Sequence, residues 1–228
     1  MPGGRVPLGG SVLKERRIGP EMLDRAPVDV ARASLRDLAR INRYLGGYYV
    51  LGRLFDGLAK PGDRFSVLDI GAASGDMGAA IRRRYPGAQV TSLDYKGHHL
   101  AEAADPKLVA DAFHLPFRPA SFDFVFSSLF LHHFTNEQIV ELFRSFRCLA
   151  RRAVLAIDLE RGPLAYHFLP GTRWLFGWHD ITIHDGRISV AAAMKKQELR
   201  ALAARAGLED ARVRVHRPWS RLSMVAPV

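Results

Sequence analysis

The 228-residue chain has one cysteine, Cys148, which excludes an internal disulfide and fits a reducing cytoplasm. It falls in FRSFRCLA, a stretch expected to be helical, and reads as inert core rather than as a nucleophile. No run approaches the ~18 consecutive apolar residues of a membrane span. The opening MPGGRVPLGGSVLKERR has no apolar segment of the signal-peptide kind, so a cytoplasmic location is expected. Metal-ligand spacing is missing as well: the pair His132-His133 is too short to build a site, and no metal is expected. Acidic residues are outnumbered, 23 against 33 Lys and Arg, for a net charge of +10. A nucleic-acid partner would want a basic tract, but the positive residues are scattered, as at Arg82–Arg84, Arg151-Arg152 and Lys195-Lys196. A solvated arginine surface is the better reading.

What is present is an ordinary globular balance, 48% hydrophobic and 25% charged, enough to bury a core. Residues 1–20 are rich in Gly, Pro and basic side chains and are expected to be mobile. Leu35, Leu38, Ile41 and Leu45 recur at helical spacing, and Gly46-Gly47 divides the 29–60 segment into two helices. Apolar strands then alternate with helices: FSVLDI (65–70), DMGAAIRRRY (76–85), AQVTSLD (88–94), KLVA (107–110), FDFVFSSL (122–129) and AVLAIDL (153–159). Thr135 with Gln138 has the form of a capping box opening a helix that runs to about Ala150. Near-continuous apolarity suits parallel strands covered on both faces, and the alternation implies a doubly wound α/β sheet. Residues 160–190 read as irregular, a helix follows over about 195–206, and DARVRVH with WSRLSMVA reads as a closing hairpin. The division expected is an N-terminal helical extension, 1–60, and a main domain, 61–228, with 160–190 as a substrate cap.

In VLDIGAASGD, the first core strand runs into a loop of very small residues, the place where open α/β sheets bind ligands. A nicotinamide fingerprint would put glycines at 71, 73 and 76, whereas the chain has Gly71, Ala73 and Asp76. An acid at the third position repels a pyrophosphate, so a ligand without phosphates fits better. Asp94, ending the second strand, stands where an acid binds ribose hydroxyls.

The spacing D-x-G-x-A-x-G at Asp69, Gly71, Ala73 and Gly75 resembles the first motif of class I S-adenosylmethionine-dependent methyltransferases, with Ala73 in place of the usual middle glycine. ADAFHLPF (110–117) and SFDFVFSSLFLHH (121–133) resemble the next motifs of the ubiquinone/menaquinone-biosynthesis type. The resemblance implies a Rossmann-like, mostly parallel sheet with a C-terminal antiparallel hairpin and S-adenosyl-L-methionine as cofactor. The expected cofactor residues are Asp69, Gly71, Ala73, Gly75, Asp94 with Tyr95 beside it, Asp111 and Ala112 around the adenine, and Ser127 or Ser128.

A hydroxyl acceptor would need a base, for which His133, His132 and Asp158 are the candidates, with His167 and His184 as rivals. The aromatic segment YHFLPGTRWLFGWHD, with Tyr166, His167, Trp174 and Trp178, is expected to contact an aromatic, phenolic, quinone-like or polyketide-derived acceptor. Two other readings stay open. A nucleic-acid methyltransferase is suggested by charge, but amino-group methylation of bases usually carries an Asn/Asp-Pro-Pro-aromatic motif where this chain reads SSLFLHH. The other is a non-catalytic binding protein on the same fold.

Overall fold

The computed structural model describes residues 13–228. The expected mobility of residues 1–20 thus lies partly outside the described residues, while 13–20 are tied down by Arg16 and Arg17, whose backbone N–H donates to Ala191. Two helices open the fold, α1 (Val28–Tyr44) and α2 (Gly47–Phe55), divided at Gly46, which has φ +80°. Then come β1 (Phe65–Ile70), α3 (Asp76–Arg84), β2 (Ala88–Asp94), β3 (Lys107–Val109), β4 (Phe122–Ser128), α4 (Asn136–Leu149) and β5 (Ala150–Leu159). The Thr135–Gln138 capping box opens α4 as expected, both hydrogen bonds being present. Cys148, on α4, is exposed rather than core, because the helix buries its Phe143–Phe146 face instead.

The sheet runs β3-β2-β1-β4-β5, all parallel, then β7 (Arg221–Pro227) and β6 (Arg212–His216). Strand β7 pairs antiparallel with both β5 and β6, which is the expected closing hairpin inserted at the sheet edge. Period-two alternation explains the continuous apolarity. Leu68, Val125 and Val154 face α4 and α7 (Lys196–Arg205), whereas Val67, Phe124 and Leu155 face α2 and α3. On the second face the Phe55 and Phe65 rings meet Phe124 edge-on at 5.6 and 5.4 Å.

Residues 160–190 correct the expectation of an irregular segment. They form two helices, α5 (Pro163–Phe176) and α6 (Asp180–Ala192), joined at Gly177, which has φ +63°. Pro170 inside α5 hid the first from propensity, and a mixed buried face on α6, with Thr182, Asp185 and Ser189 among apolar residues, hid the second. Those polar residues are anchors. Thr182 donates to Asp37 of α1, Asp185 accepts from the backbone of Met22 and Leu23, and Ser189 donates to Glu21. No helix among the described residues is long and apolar enough to cross a membrane.

Candidate active site

The loop after β1 uses the left-handed region at every second residue: φ is +70° at Gly71, +46° at Ala73 and +72° at Gly75. A Cβ at Gly71 would lie 2.3 Å from the Phe130 ring, and one at Gly75 would lie 2.7 Å from Ala103 Cβ. The loop's own shape and packing therefore demand glycine at both positions, and Gly71 also lines the cavity described below. Asp94 sets this shape: its carboxylate accepts from Ala73 N–H at 3.0 Å and Lys96 N–H at 2.9 Å. Burial works to raise the Asp94 pKa, but His99 and these two amides prevail and hold it below the carboxylate range.

Three carboxylates converge here. Asp69 is fully buried, its Oδ2 has no hydrogen-bond partner, and burial, then repulsion from Asp76, pushes its pKa up to about 8. Asp76 is held by Asn42 and Tyr48 at 3.0 and 3.3 Å. Ser92 Oγ and His99 Nε2 are likewise buried without partners. With Asp69 uncharged near pH 7, Asp94 and Asp76 supply the negative charge here, which favours a cationic ligand over a phosphate-bearing one, and His99 Nε2 is the unpartnered atom on the cavity wall.

One cavity of about 1030 Å³ runs along the carboxyl ends of the strands. Gly71, Ala73, Asp94, Tyr95, Asp111 and Ala112 line one end of it. Asp111 accepts from Phe113 N–H at 2.9 Å and pairs with His114, and these partners hold its carboxyl below the usual range. Asp69 and Gly75 lie behind this wall as supports. Ser127 and Ser128 do not line the cavity, since Leu129, with φ +52°, and Phe130 carry the chain across it instead.

At the other end of the cavity stand Glu21, His132 and His133. His132 is buried, its Nδ1 2.7 Å from Asp158 Oδ1, its backbone N–H on Asp158 Oδ2, and its Nε2 3.6 Å from Glu21 Oε1. Burial works to lower the His132 pKa, but Asp158 and then Glu21 prevail and push it up to about 10. Asp158, in turn, is held below its ordinary range by that imidazolium against the effect of burial. A protonated imidazole has no lone pair to offer, so this pair fixes charge rather than accepting a proton. The His133 ring lies tilted against that of His132, centroids 4.4 Å apart, and is the more open of the two.

The aromatic residues expected at the acceptor are elsewhere. Tyr166 is buried beneath Arg187, His167 is exposed, Trp174 is 84% exposed, and Trp178 is buried, donating to Thr172 and stacked on Phe176. The cavity instead takes Leu164, Ala165, Phe168 and Leu169 of α5, one helical face that an irregular reading could not assign. Leu35, Leu38 and Ile41 of α1, with Leu45 just after it, form the facing wall, and their helical spacing was visible in the sequence. Glu21 was missed altogether, with no motif to mark it.

A family model described as "Methyltransferase domain" matches residues 67–153. The chain carries a class I methyltransferase domain. Curated relatives include two malonyl-[acyl-carrier protein] O-methyltransferases. The one from Geobacter sulfurreducens is 33% identical over 162 residues, 64% of this chain and 57% of the relative. The one from Xylella fastidiosa is 34% identical over 121 residues, 49% of this chain and 40% of the relative. The chain thus spans about half the length of these relatives. Among solved structures, the plantazolicin methyltransferase BpumL, in complex with S-adenosylhomocysteine, matches at TM-score 0.65 and 14% identity, covering 87% of this chain and 89% of that one. At that identity the match concerns the fold. The domain's matched region begins at Val67 and takes in the loop, Asp94, Asp111 and the His132-His133 turn.

Proposed function

We propose that this protein is an S-adenosylmethionine-dependent methyltransferase acting on a small, largely apolar acceptor of aromatic, phenolic, quinone-like or polyketide type. The observation that carries the reading is the continuity of the cavity. Its acidic, loop-lined end and its histidine-lined end belong to one space between the strand ends and α1, α5 and α6. When bound, S-adenosylmethionine supplies an electrophilic sulfonium methyl. Asp94 would take the ribose hydroxyls, Asp111 and Ala112 the adenine, and the carboxylates around the loop would favour the positive charge. The apolar faces of α1 and α5 would hold the acceptor and exclude water, so that its reactive atom meets the methyl group at the His133 corner. Transfer of the methyl group would be matched by loss of the acceptor's proton, which the more open imidazole of His133 would take up.

A second reading takes the acceptor as an acyl group presented on a carrier protein. It is supported by the activity that both curated relatives are named for, while the net charge of +10 would favour an acidic carrier. Labelled S-adenosylmethionine offered with a small-molecule extract, and separately with malonyl-loaded acyl carrier protein, distinguishes the two. Label in an extract-derived aromatic product supports the first and label on the carrier the second. Cofactor binding with no label in either defeats both and leaves a binding protein.

A further inference from the structure

We propose that Glu21, His132 and His133 form a binding site for one divalent transition-metal ion at the acceptor end of the cavity, with Asp158 as the outer partner of His132. The three candidate ligand atoms lie within 4.8 Å of one another. Glu21 Oε1 is 3.6 Å from His132 Nε2 and 3.9 Å from His133 Nδ1. Ligand bonds of about 2.0–2.2 Å place neighbouring donors roughly 3–3.5 Å apart, so small side-chain adjustments close the cluster around an ion.

The surroundings are those of a built site. The His132 Nδ1–Asp158 Oδ1 contact of 2.7 Å orients the ring so that Nε2, on releasing its proton as the ion binds, becomes the ligand atom, which is how carboxylates support metal-bound imidazoles. The His132 side chain is 4% exposed and that of Asp158 0%. Glu21 is steered by the Ser189 hydroxyl, which donates to its Oε1 at 2.5 Å. The two histidines occupy one turn, Leu131–His133, whose carbonyls are clamped by Arg16. That guanidinium is thereby directed at backbone oxygens. Two imidazoles with one carboxylate suit zinc, cobalt, manganese or ferrous ions better than magnesium or calcium, which favour all-oxygen sets.

All three residues line the cavity, so the remaining coordination positions open onto the acceptor. There an ion would hold an acceptor oxygen and ease loss of its proton. This consequence rests on the methyltransferase reading, but ion binding itself does not. It also revises the expectation of no metal, which considered the His132-His133 pair without Glu21.

The test uses the full chain, stripped with chelator and titrated with cobalt chloride. The expected result is one cobalt per chain with a visible d–d absorption band, displaced by zinc chloride. His133→Ala and Glu21→Gln should each weaken cobalt binding at least about tenfold, while His167→Ala leaves it unchanged. Absence of the band in the folded wild-type protein overturns the proposal, as does wild-type affinity in either ligand variant. Anomalous diffraction from cobalt-soaked wild-type crystals decides the matter without any variant: a peak between the three side chains supports the site, and a peak only elsewhere overturns it. Calorimetry of S-adenosylmethionine on the metal-free protein tests the methyltransferase reading separately.

Discussion

The two ends of the cavity are built on different principles. At the loop end, Gly71, Ala73 and Asp94 lie within 24 consecutive residues, and backbone amides fix their geometry. At the histidine end, Glu21, His132, Asp158 and Ser189 come from four separate elements, and charge pairing in a buried setting holds them together. The loop end is a local structure that tertiary contacts merely support. The histidine end exists only once the N-terminal segment, the Leu131–His133 turn, β5 and α6 have met. Damage to the first should therefore appear in ligand affinity, and damage to the second in folding stability.

The largest expected effect is at the histidine end. Asp158→Asn leaves a buried imidazolium beside Glu21 alone and should cost about 3–5 kcal/mol of stability by denaturant unfolding. The pH dependence carries the same signature. Because the His132 pKa is raised to about 10, its stabilisation is complete below the ordinary imidazole value of ~6.5 and is lost as pH rises through about 10. Asp158 is shifted downward, so its stabilisation is present above ~4 and is lost only on acidification. Wild-type stability should fall between pH 7 and 10 by on the order of 1 kcal/mol per unit, and Asp158→Asn should flatten that slope. A slope unchanged in the variant would break the assignment.

Within the cap, Trp178→Ala should cost about 3–5 kcal/mol, since the ring is 3% exposed. Trp174→Ala, only a few residues away in sequence, should stay within about 0.5 kcal/mol and leave methyl transfer intact. Equal effects at the two positions would mean that α5 is turned differently.

At the loop end, Asp94→Ala should weaken S-adenosylmethionine binding by about 1.5–3 kcal/mol, measured by calorimetry. Unchanged affinity in a folded variant would remove Asp94 from the cofactor site. The smallest effect belongs to Ala73. Its φ of +46° is strained for an L-residue, so Ala73→Gly should raise stability slightly. The gain expected is about 0.5 kcal/mol, relief of roughly 1 kcal/mol of strain being partly offset by a more flexible unfolded chain. A clear loss of stability would show that the Ala73 methyl group packs.

The sequence by itself determined the sheet and the loop end. Strand–helix alternation, the Thr135 capping box and the Asp69–Gly75 spacing depend on neighbours a few residues apart, and such patterns are written directly into a chain. Only the tertiary structure decided the acceptor end. A mixed polar face on α6 and a proline inside α5 concealed two helices, so Leu164 and Phe168 could not be told from Tyr166 and Trp174 as cavity-facing. Glu21 acquires its role solely because Asp185 and Ser189 of α6 draw residues 21–23 toward the His132 turn. No local pattern records an encounter between residues more than a hundred positions apart, because the energy that fixes it, ion pairing and burial, arises only when the elements have come together.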